Sequence, residues 1–391
     1  MTTEMNHDHG NLNTAAVVLI RCDDYTPENV QAAVQRGLDL LGGAGRFAQP
    51  GEKILLKPNI LSGEDPEKCI SPHPNVFMAV AQAFKQTGAV LSFGDSPGFG
   101  SPKINAQRGG FMQPAEELGI EWADFVNARD VSFPEGNVIK KFTIAKAVAE
   151  AQGLISICKL KTHALTRITG AIKNQFGCIP GPRKAEFHSV MPTAARFSQM
   201  LIDLNLCLKP RLYIMDGIIA MEGNGPRNGV PRAMNVLLFS TDPVALDATV
   251  CRMIDLDTNL VEPLVYGQAA GLGSMQNIEY DGDALESFHT PTFDVNRNPL
   301  KTTTDTSFLA TSFMRRFTAP RPTIDADKCT RCGRCVEVCP ADPKALSWRA
   351  EGNKQPPVYD YAKCIRCYCC QELCPFDAIY VRIPPLGKLI H

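Results

Sequence analysis

No stretch of the 391 residues approaches the roughly 18 consecutive apolar side chains of a membrane-spanning helix. Met1 to Asn13 lack the basic segment and apolar run of a secretory signal, so the expected compartment is cytoplasmic. Neither sign of charge is in excess. The 40 Lys and Arg meet 41 Asp and Glu, a formal net charge of −1, and no nucleic acid or other polyanion is called for as a partner. Phosphate-cradling signatures are missing as well. There is no Walker A run, and Gly223-Asn-Gly225-Pro-Arg-Asn-Gly229 breaks the G-x-G-x-x-G spacing and leads into another strand-like run, Ala233 to Phe239. Nucleotide and nicotinamide sites of the usual kinds are therefore not supported. His7 and His9 read as part of a polar leader rather than a metal site.

Cysteine, by contrast, is plentiful, and its 15 copies fall into two populations. Cys22, Cys69, Cys158, Cys178, Cys207 and Cys251 show no ligand spacing and mostly sit in apolar stretches, as small buried residues of a reducing compartment do. The other population forms two regular runs. The first is Cys329-x2-Cys332-x2-Cys335-x3-Cys339-Pro340, and the second is Cys364-x2-Cys367-x2-Cys370-x3-Cys374-Pro375. Three thiolates at three-residue spacing can wrap one iron–sulfur cube from a tight loop, while the fourth, on a following helical turn, points at the neighbouring cluster. The ligand sets should therefore cross: Cys329, Cys332, Cys335 and Cys374 for one [4Fe–4S] cluster, and Cys364, Cys367, Cys370 and Cys339 for the other. Zinc is the competing ligand chemistry, but it prefers two separated C-x2-C pairs around a tetrahedral ion. Cys369 falls out of register and reads as a spare thiol.

The runs lie within an internal repeat. Pro322-Thr-Ile-Asp-Ala-Asp-Lys-Cys329 recurs as Pro357-Val-Tyr-Asp-Tyr-Ala-Lys-Cys364, and the match continues through Glu337/Glu372, Pro340/Pro375 and Asp342/Asp377. Over about Arg321 to Arg382 the sequence resembles the two-cluster bacterial ferredoxins, which implies low-potential electron transfer. Ferredoxin-type centres lie toward the low end of the iron–sulfur range, near about −400 mV for plant-type members.

From Ala15 to about Gly273, runs rich in Val, Ile and Leu alternate with helical-period segments, the pattern of an α/β domain with a mainly parallel sheet and flanking helices. Expected strands are Ala16 to Arg21, Lys53 to Lys57, Ala89 to Phe93, Gly153 to Cys158, Arg211 to Met215 and Asn235 to Phe239. Expected helices are Glu28 to Leu41, Asn75 to Gln86, Thr193 to Leu208 and Pro243 to Ile254. The organisation reads as a polar leader (1–14), an α/β domain (15–282), a connector (283–320) with a short helix around Phe308 to Phe317, and a small α+β ferredoxin domain (321–391).

Polar motifs follow the expected strands, where open α/β sheets bind ligands. Lys57-Pro58-Asn59, Gly94-Asp95-Ser96-Pro97-Gly98 and Lys159-Leu160-Lys161-Thr162-His163 would bring Lys57, Lys159, Lys161 and, with Asn174, Lys173 toward one crevice. Such charges favour a carboxylate or phosphate. Asn59, Asp95 and Ser96 would complete the binding groups, and His163, titrating near neutrality, with Lys159 and Lys161, would be the catalytic ones. Asp216, Asp242 and Asp247 are further candidates, although aspartate after a strand often only caps the next helix.

These motifs, with Gly170-Ala-Ile-Lys-Asn174, Met221-Glu-Gly-Asn-Gly-Pro226 and Ser240-Thr-Asp-Pro-Val-Ala-Leu-Asp247, resemble the family catalogued as domain of unknown function 362, over about Ala15 to Gly273. The resemblance implies one domain with a shared site, often joined to a ferredoxin module, and no particular reaction. Three functions remain open. One is an oxidoreductase that passes electrons from an external donor through two [4Fe–4S] clusters to an anionic small molecule. The others are an electron-transfer subunit that docks a partner protein and a redox-sensing binding protein.

Overall fold

The computed structural model describes residues 15–191, 193–298, 319–349 and 354–385. The helix expected around Phe308 to Phe317, and His7 and His9, lie outside them. Eleven strands are described in the body: β1 (Ala15–Arg21), β2 (Lys53–Pro58), β3 (Val90–Phe93), β4 (Glu121–Trp122), β5 (Ala128–Ser132), β6 (Lys141–Ala145), β7 (Gly153–His163), β8 (Arg167–Thr169), β9 (Leu212–Glu222), β10 (Val230–Ser240) and β11 (Ile278–Gly282). Nine of these make one sheet of order β11-β1-β10-β9-β7-β2-β3-β4, with β8 folded back on the end of β7. Neighbours are parallel except where β10 meets β1 and β9 and where β8 meets β7. β5 and β6 form a separate hairpin.

Both faces of the sheet are buried, as its unbroken apolar runs require. On β1 the period-two alternation sends Val17 and Leu19 into one core and Val18 and Ile20 into the other. Helices Pro27–Leu40 and Pro74–Lys85 cover the second face through residues such as Val34, Leu38, Phe77 and Phe84, while Ala194–Leu208 and Pro243–Met253 cover the first. Proline opens several of these helices, where its fixed φ and missing N–H cost nothing. All four expected helices are present within one or two residues of their expected ends.

β9 runs on to Glu222, past its expected end at Met215, and β10 begins at Val230, ahead of its expected start at Asn235. The departure that bears on the site is β7. Its expected strand stops at Cys158, but the pairing continues through His163, first beside β9 and then against β8, so Lys159 to His163 is strand rather than loop. β8, β11, the β5–β6 hairpin and the helix Gly181–Val190 were also not expected.

The C-terminal unit is built from two like halves. Strand Arg321–Ile324 pairs with Ile379–Arg382, and Leu346–Ser347 pairs with Val358–Tyr359, so each half is stitched to the other at both ends. The repeat extends to the backbone. Arg331 and Arg366 share φ near 60°, and Gly333 and Tyr368 share positive φ at the next matched position, just before the helical turns Arg334–Glu337 and Cys369–Glu372.

Candidate functional site

On the β7 extension, alternate residues Lys159, Lys161 and His163 point the same way, and all three are buried. A buried ammonium must be paired or hydrogen-bonded, and each of these is. Lys159 Nζ lies 2.8 Å from Asp216 Oδ2 and donates to the Tyr25 hydroxyl at 2.9 Å. Lys161 Nζ donates to Asn59 Oδ1 at 2.7 Å and to the Ile70 carbonyl at 2.5 Å; burial, with Lys173 and Lys159 nearby, holds its pKa well below the usual lysine range. The Nδ1 of His163 accepts the Leu165 and Thr166 amides, which leaves the proton on Nε2. Burial and then Lys173 push this imidazole down to about 4, against the pull of Glu372.

Lys57 is equally internal. It pairs with Asp95 at 2.8 Å and donates to Asn174 Oδ1 at 2.8 Å. Gly177 permits the close packing, since a Cβ there would fall 1.9 Å from Asp95 Oδ1. Removing one member of such a pair costs about 3 to 5 kcal/mol, because the other is left buried and uncompensated. The expected crevice of four solvent-facing lysines is thus corrected. Lys57 and Lys159 are paired with carboxylates inside the protein, Lys161 is held by neutral oxygens, and of the four Lys173 alone makes no hydrogen bond or ion pair among the described residues. The aspartates divide in the same way: Asp216 serves Lys159 and Tyr25, Asp242 caps the helix Pro243–Met253, and Asp247 accepts the Ala171 and Ile172 amides, its pKa raised to about 7 by burial.

The sheet edge seats the C-terminal unit. In the turn between β9 and β10, Asn224 donates to Asp377 Oδ1 and to the Ile379 carbonyl, and Gln371 donates to the Asn224 and Gly225 carbonyls. Asn228 donates to the Cys374 carbonyl at 3.1 Å, and Ser189 to that of Pro340 at 2.6 Å. The Arg334 guanidinium stacks 4.4 Å from the Phe99 ring, and His163 Nε2 stands 2.6 Å from Glu372 Oε1, close but off the line of a well-formed hydrogen bond. The glycine-rich turn Gly223 to Gly229 thus seats the C-terminal unit.

The cysteines of each crossed set surround a separate hollow. One is lined by Cys329, Cys332, Cys335 and Cys374 with Ile324, Ala378 and Ile379; the other by Cys339, Cys364, Cys367 and Cys370 with Leu346, Tyr359 and Tyr368. Among the described residues no three Cys, His, Asp or Glu side chains close on the point of a single ion. The sulfurs ring a space, as a cube needs and a tetrahedral zinc does not. Burial, followed by Cys374, Cys329 and Cys332, pushes the Cys335 thiol up to about 12, so a cationic core is what would let these thiolates coexist. The donor chemistry fits an iron–sulfur group.

A model described as a domain of unknown function, DUF362, matches residues 54–252, just over half of the chain. The chain belongs to that family. A second model, a 4Fe-4S dicluster domain, matches residues 328–378, so this DUF362 protein carries a ferredoxin-type 4Fe-4S module suited to electron transfer. A thylakoid-associated protein of Synechocystis sp. is 35% identical over 258 residues, covering 66% of this chain and 80% of that protein. Among solved structures, the lactate racemase apoprotein of Thermoanaerobacterium thermosaccharolyticum aligns at 11% identity and a TM-score of 0.41, over 60% of this chain and 55% of that one. A Thermotoga maritima protein aligns at 12% and 0.32, over 67% and 62%. The chain spans under two thirds of either structure, and likenesses this loose do not bear on the site. Among the described residues no helix is long and apolar enough to cross a membrane.

Between the DUF362 body and its module lies a cleft of about 440 Å³. Of the residues expected to bind substrate, Asn59, Asp95, Ser96, Lys173 and Asn174 line it; Lys57, Lys159, Lys161 and His163 do not. Among the lining residues that escaped the sequence reading are Phe176, Lys184 and His188. The Lys184 ammonium donates to the Ser96 carbonyl, lies 5.7 Å from the centroid of Phe176, and is lowered to about 8 by burial. His188 stacks on Phe197 at 4.7 Å and is likewise lowered by burial, to about 4. The opposite wall comes from the module: Glu337, Val338, Cys369, Glu372 and Leu373. The match of Glu337 with Glu372 across the repeat was the one sequence signal that could have flagged these acids.

Proposed function

We propose that this DUF362 protein is an iron–sulfur oxidoreductase that delivers low-potential electrons to an anionic small molecule in the cleft. Two clusters are assigned, one to Cys329, Cys332, Cys335 and Cys374 and the other to Cys364, Cys367, Cys370 and Cys339; when bound, each would exchange one electron at a time. The observation that carries the reading is the shared wall. Cys369, Glu372 and Leu373 belong to the same short segment as Cys370, and they face Lys173 across the cleft.

The chain's own groups divide the work. Lys173 anchors the anion, and the N–H groups of Lys184 not spent on Ser96 add a second donor. Asn59, Ser96 and Asn174 orient it. His163 holds Glu372, and with it the module wall, while Lys57, Lys159 and Lys161 fix the loops behind. The catalytic contact assigned to His163, Lys159 and Lys161 from sequence thereby becomes a supporting one. An external carrier protein would meet the first set, where Cys332 is exposed.

Anaerobic preparation should give about eight iron and eight acid-labile sulfide per chain. Stoichiometric zinc would end the reading. Rapid mixing of the reduced protein with a panel of small acids, followed by electron paramagnetic resonance, should find one that discharges the clusters; a signal untouched by the whole panel would favour transfer to a partner protein instead.

A further inference from the structure

We infer that the cleft takes a monocarboxylate with an apolar, planar body, and not a phosphate. The inference rests on the reading of the cleft as the substrate site and narrows its ligand.

Asp95 is matched by Lys57, and Glu372 faces Lys173, since His163, held down to about 4, adds no charge. Glu337 is at the solvent-exposed rim. On the other side, Lys173 makes no hydrogen bond or direct ion pair among the described residues, and Lys184 is held by a neutral carbonyl. Lys173 and Lys184 set against Glu372 leave about one positive charge. A phosphate monoester carries close to two negative charges at neutral pH and offers three acceptor oxygens. Such groups are met by arginine forks, by runs of backbone amides at a helix start, or by several lysines. No arginine is among the described residues lining the cleft, and three of the four lysines that would have served are consumed internally. One carboxylate, accepting from Lys173 and Lys184 with Asn174 or Asn59 beside it, fits the supply.

Leu61, Phe99, Phe176, Val338 and Leu373 make an apolar lining beyond the two ammonium groups. Phe176 already lies beneath the Lys184 ammonium, so an aryl or conjugated body would extend an existing packing arrangement. At about 440 Å³ the space suits a molecule of drug-like rather than acetate-like size. A small hydroxy acid would leave the apolar wall wet and gain little there.

Calorimetry on the oxidised, cluster-loaded protein can decide this, with cinnamate, its uncharged amide, phenyl phosphate and lactate as probes. Cinnamate is expected to bind at least about tenfold more tightly than cinnamamide and than lactate, since a charge-assisted hydrogen bond contributes about that factor or more. Phenyl phosphate should bind no better than cinnamate. Lys173→Met should weaken cinnamate by about tenfold and leave cinnamamide unchanged, with iron content as the check that the variant is loaded. Phenyl phosphate binding tenfold tighter than cinnamate, or cinnamate and cinnamamide binding equally, would overturn the assignment; neither outcome requires a variant to fold. Cinnamate that binds as expected yet never discharges the reduced clusters would leave the ligand class standing and remove the electron-delivery reading.

Discussion

The two cysteine sets share one spacing and occupy unlike settings. The first opens to solvent: Cys332 is exposed, Phe376 beside it is 46% exposed, and Thr330 and Arg331 are also at the surface. The second is folded inward, with Cys370, Tyr368 and Arg366 buried, the Tyr359 hydroxyl donating to Cys370 Sγ at 3.2 Å, and the body against its flank. The ligand spacing is identical. What differs is cover: beside the second set Arg366 and Tyr368 both donate to the Pro320 carbonyl and are buried. An outer set suits exchange with a carrier protein, and an inner set suits delivery to a cleft.

The harshest way to break this comparison is to delete the cysteines that cross between halves. Cys374→Ala should lower iron from about eight to about four per chain and leave Cys329, Cys332 and Cys335 open to alkylation. Cys339→Ala should expose Cys364, Cys367 and Cys370 instead, and peptide mapping of alkylated sites tells them apart. If each variant exposed the rest of its own run, the crossing would be wrong.

Unseating the module should loosen both sets. Asn224→Ala removes the side chain that ties the β9–β10 turn to Asp377 and Ile379. Ile379 lines the hollow of the outer set, so iron there should be lost to a chelator about tenfold faster and the inner set should loosen with it. Unchanged rates would mean that this turn does not hold the module.

A smaller effect should come from the sulfur itself. Hydrogen bonds to cluster sulfurs raise the reduction potential, and among the described residues Tyr359 supplies one only to the inner set. Tyr359→Phe should lower one potential by roughly 50 mV and leave the other in place, as read by redox titration under electron paramagnetic resonance.

Acid should act last and least. The folded-state pKa values of His163 and His188 are depressed to about 4 by burial, below an unfolded value near 6.5. The unfolded chain therefore binds more protons across that window. Stability is full above about pH 6.5 and declines as pH falls toward 4. Glu372, Lys173 and Lys161 are the charges that act on His163. His163→Gln should flatten part of the decline in thermal melts; an unchanged slope would mean that His163 does not titrate as its surroundings require.

The parts of this molecule that were legible in sequence are those set by local rules. Cluster ligation depends on spacings of two and three residues, so a division of the eight cysteines could be expected before any contact was known, and the two hollows are lined in that division. Apolar periodicity placed β1, β2 and the four long helices, because burial on both faces of a sheet leaves continuous Val, Ile and Leu runs. The reading failed at Lys159 to His163, where two lysines and a histidine look like surface loop. They extend β7 because their partners, Asp216, Asn59 and the Ile70 carbonyl, come from distant segments. Asn59, Asp95 and Ser96, which line the cleft, could be singled out because they follow expected strands, and Lys173 and Asn174 because they lie close to Lys159–His163 in sequence. Lys184 and His188 were not, since their helix follows no strand and carries little apolar periodicity. The module wall of the cleft depends on docking between segments some 150 residues apart, as between Asn224 and Gln371, and no local pattern encodes that.

The order of the chain also bears on its biogenesis. Every strand of the main sheet, and the turn that receives Gln371, precedes the first cluster cysteine. A ribosome will have released the complete seat before Cys329 emerges, and the body has no need of metal to close its two cores. Cells short of iron should therefore accumulate a folded body bearing an unloaded module, and the brown colour of a purified sample would measure cofactor supply, not successful folding.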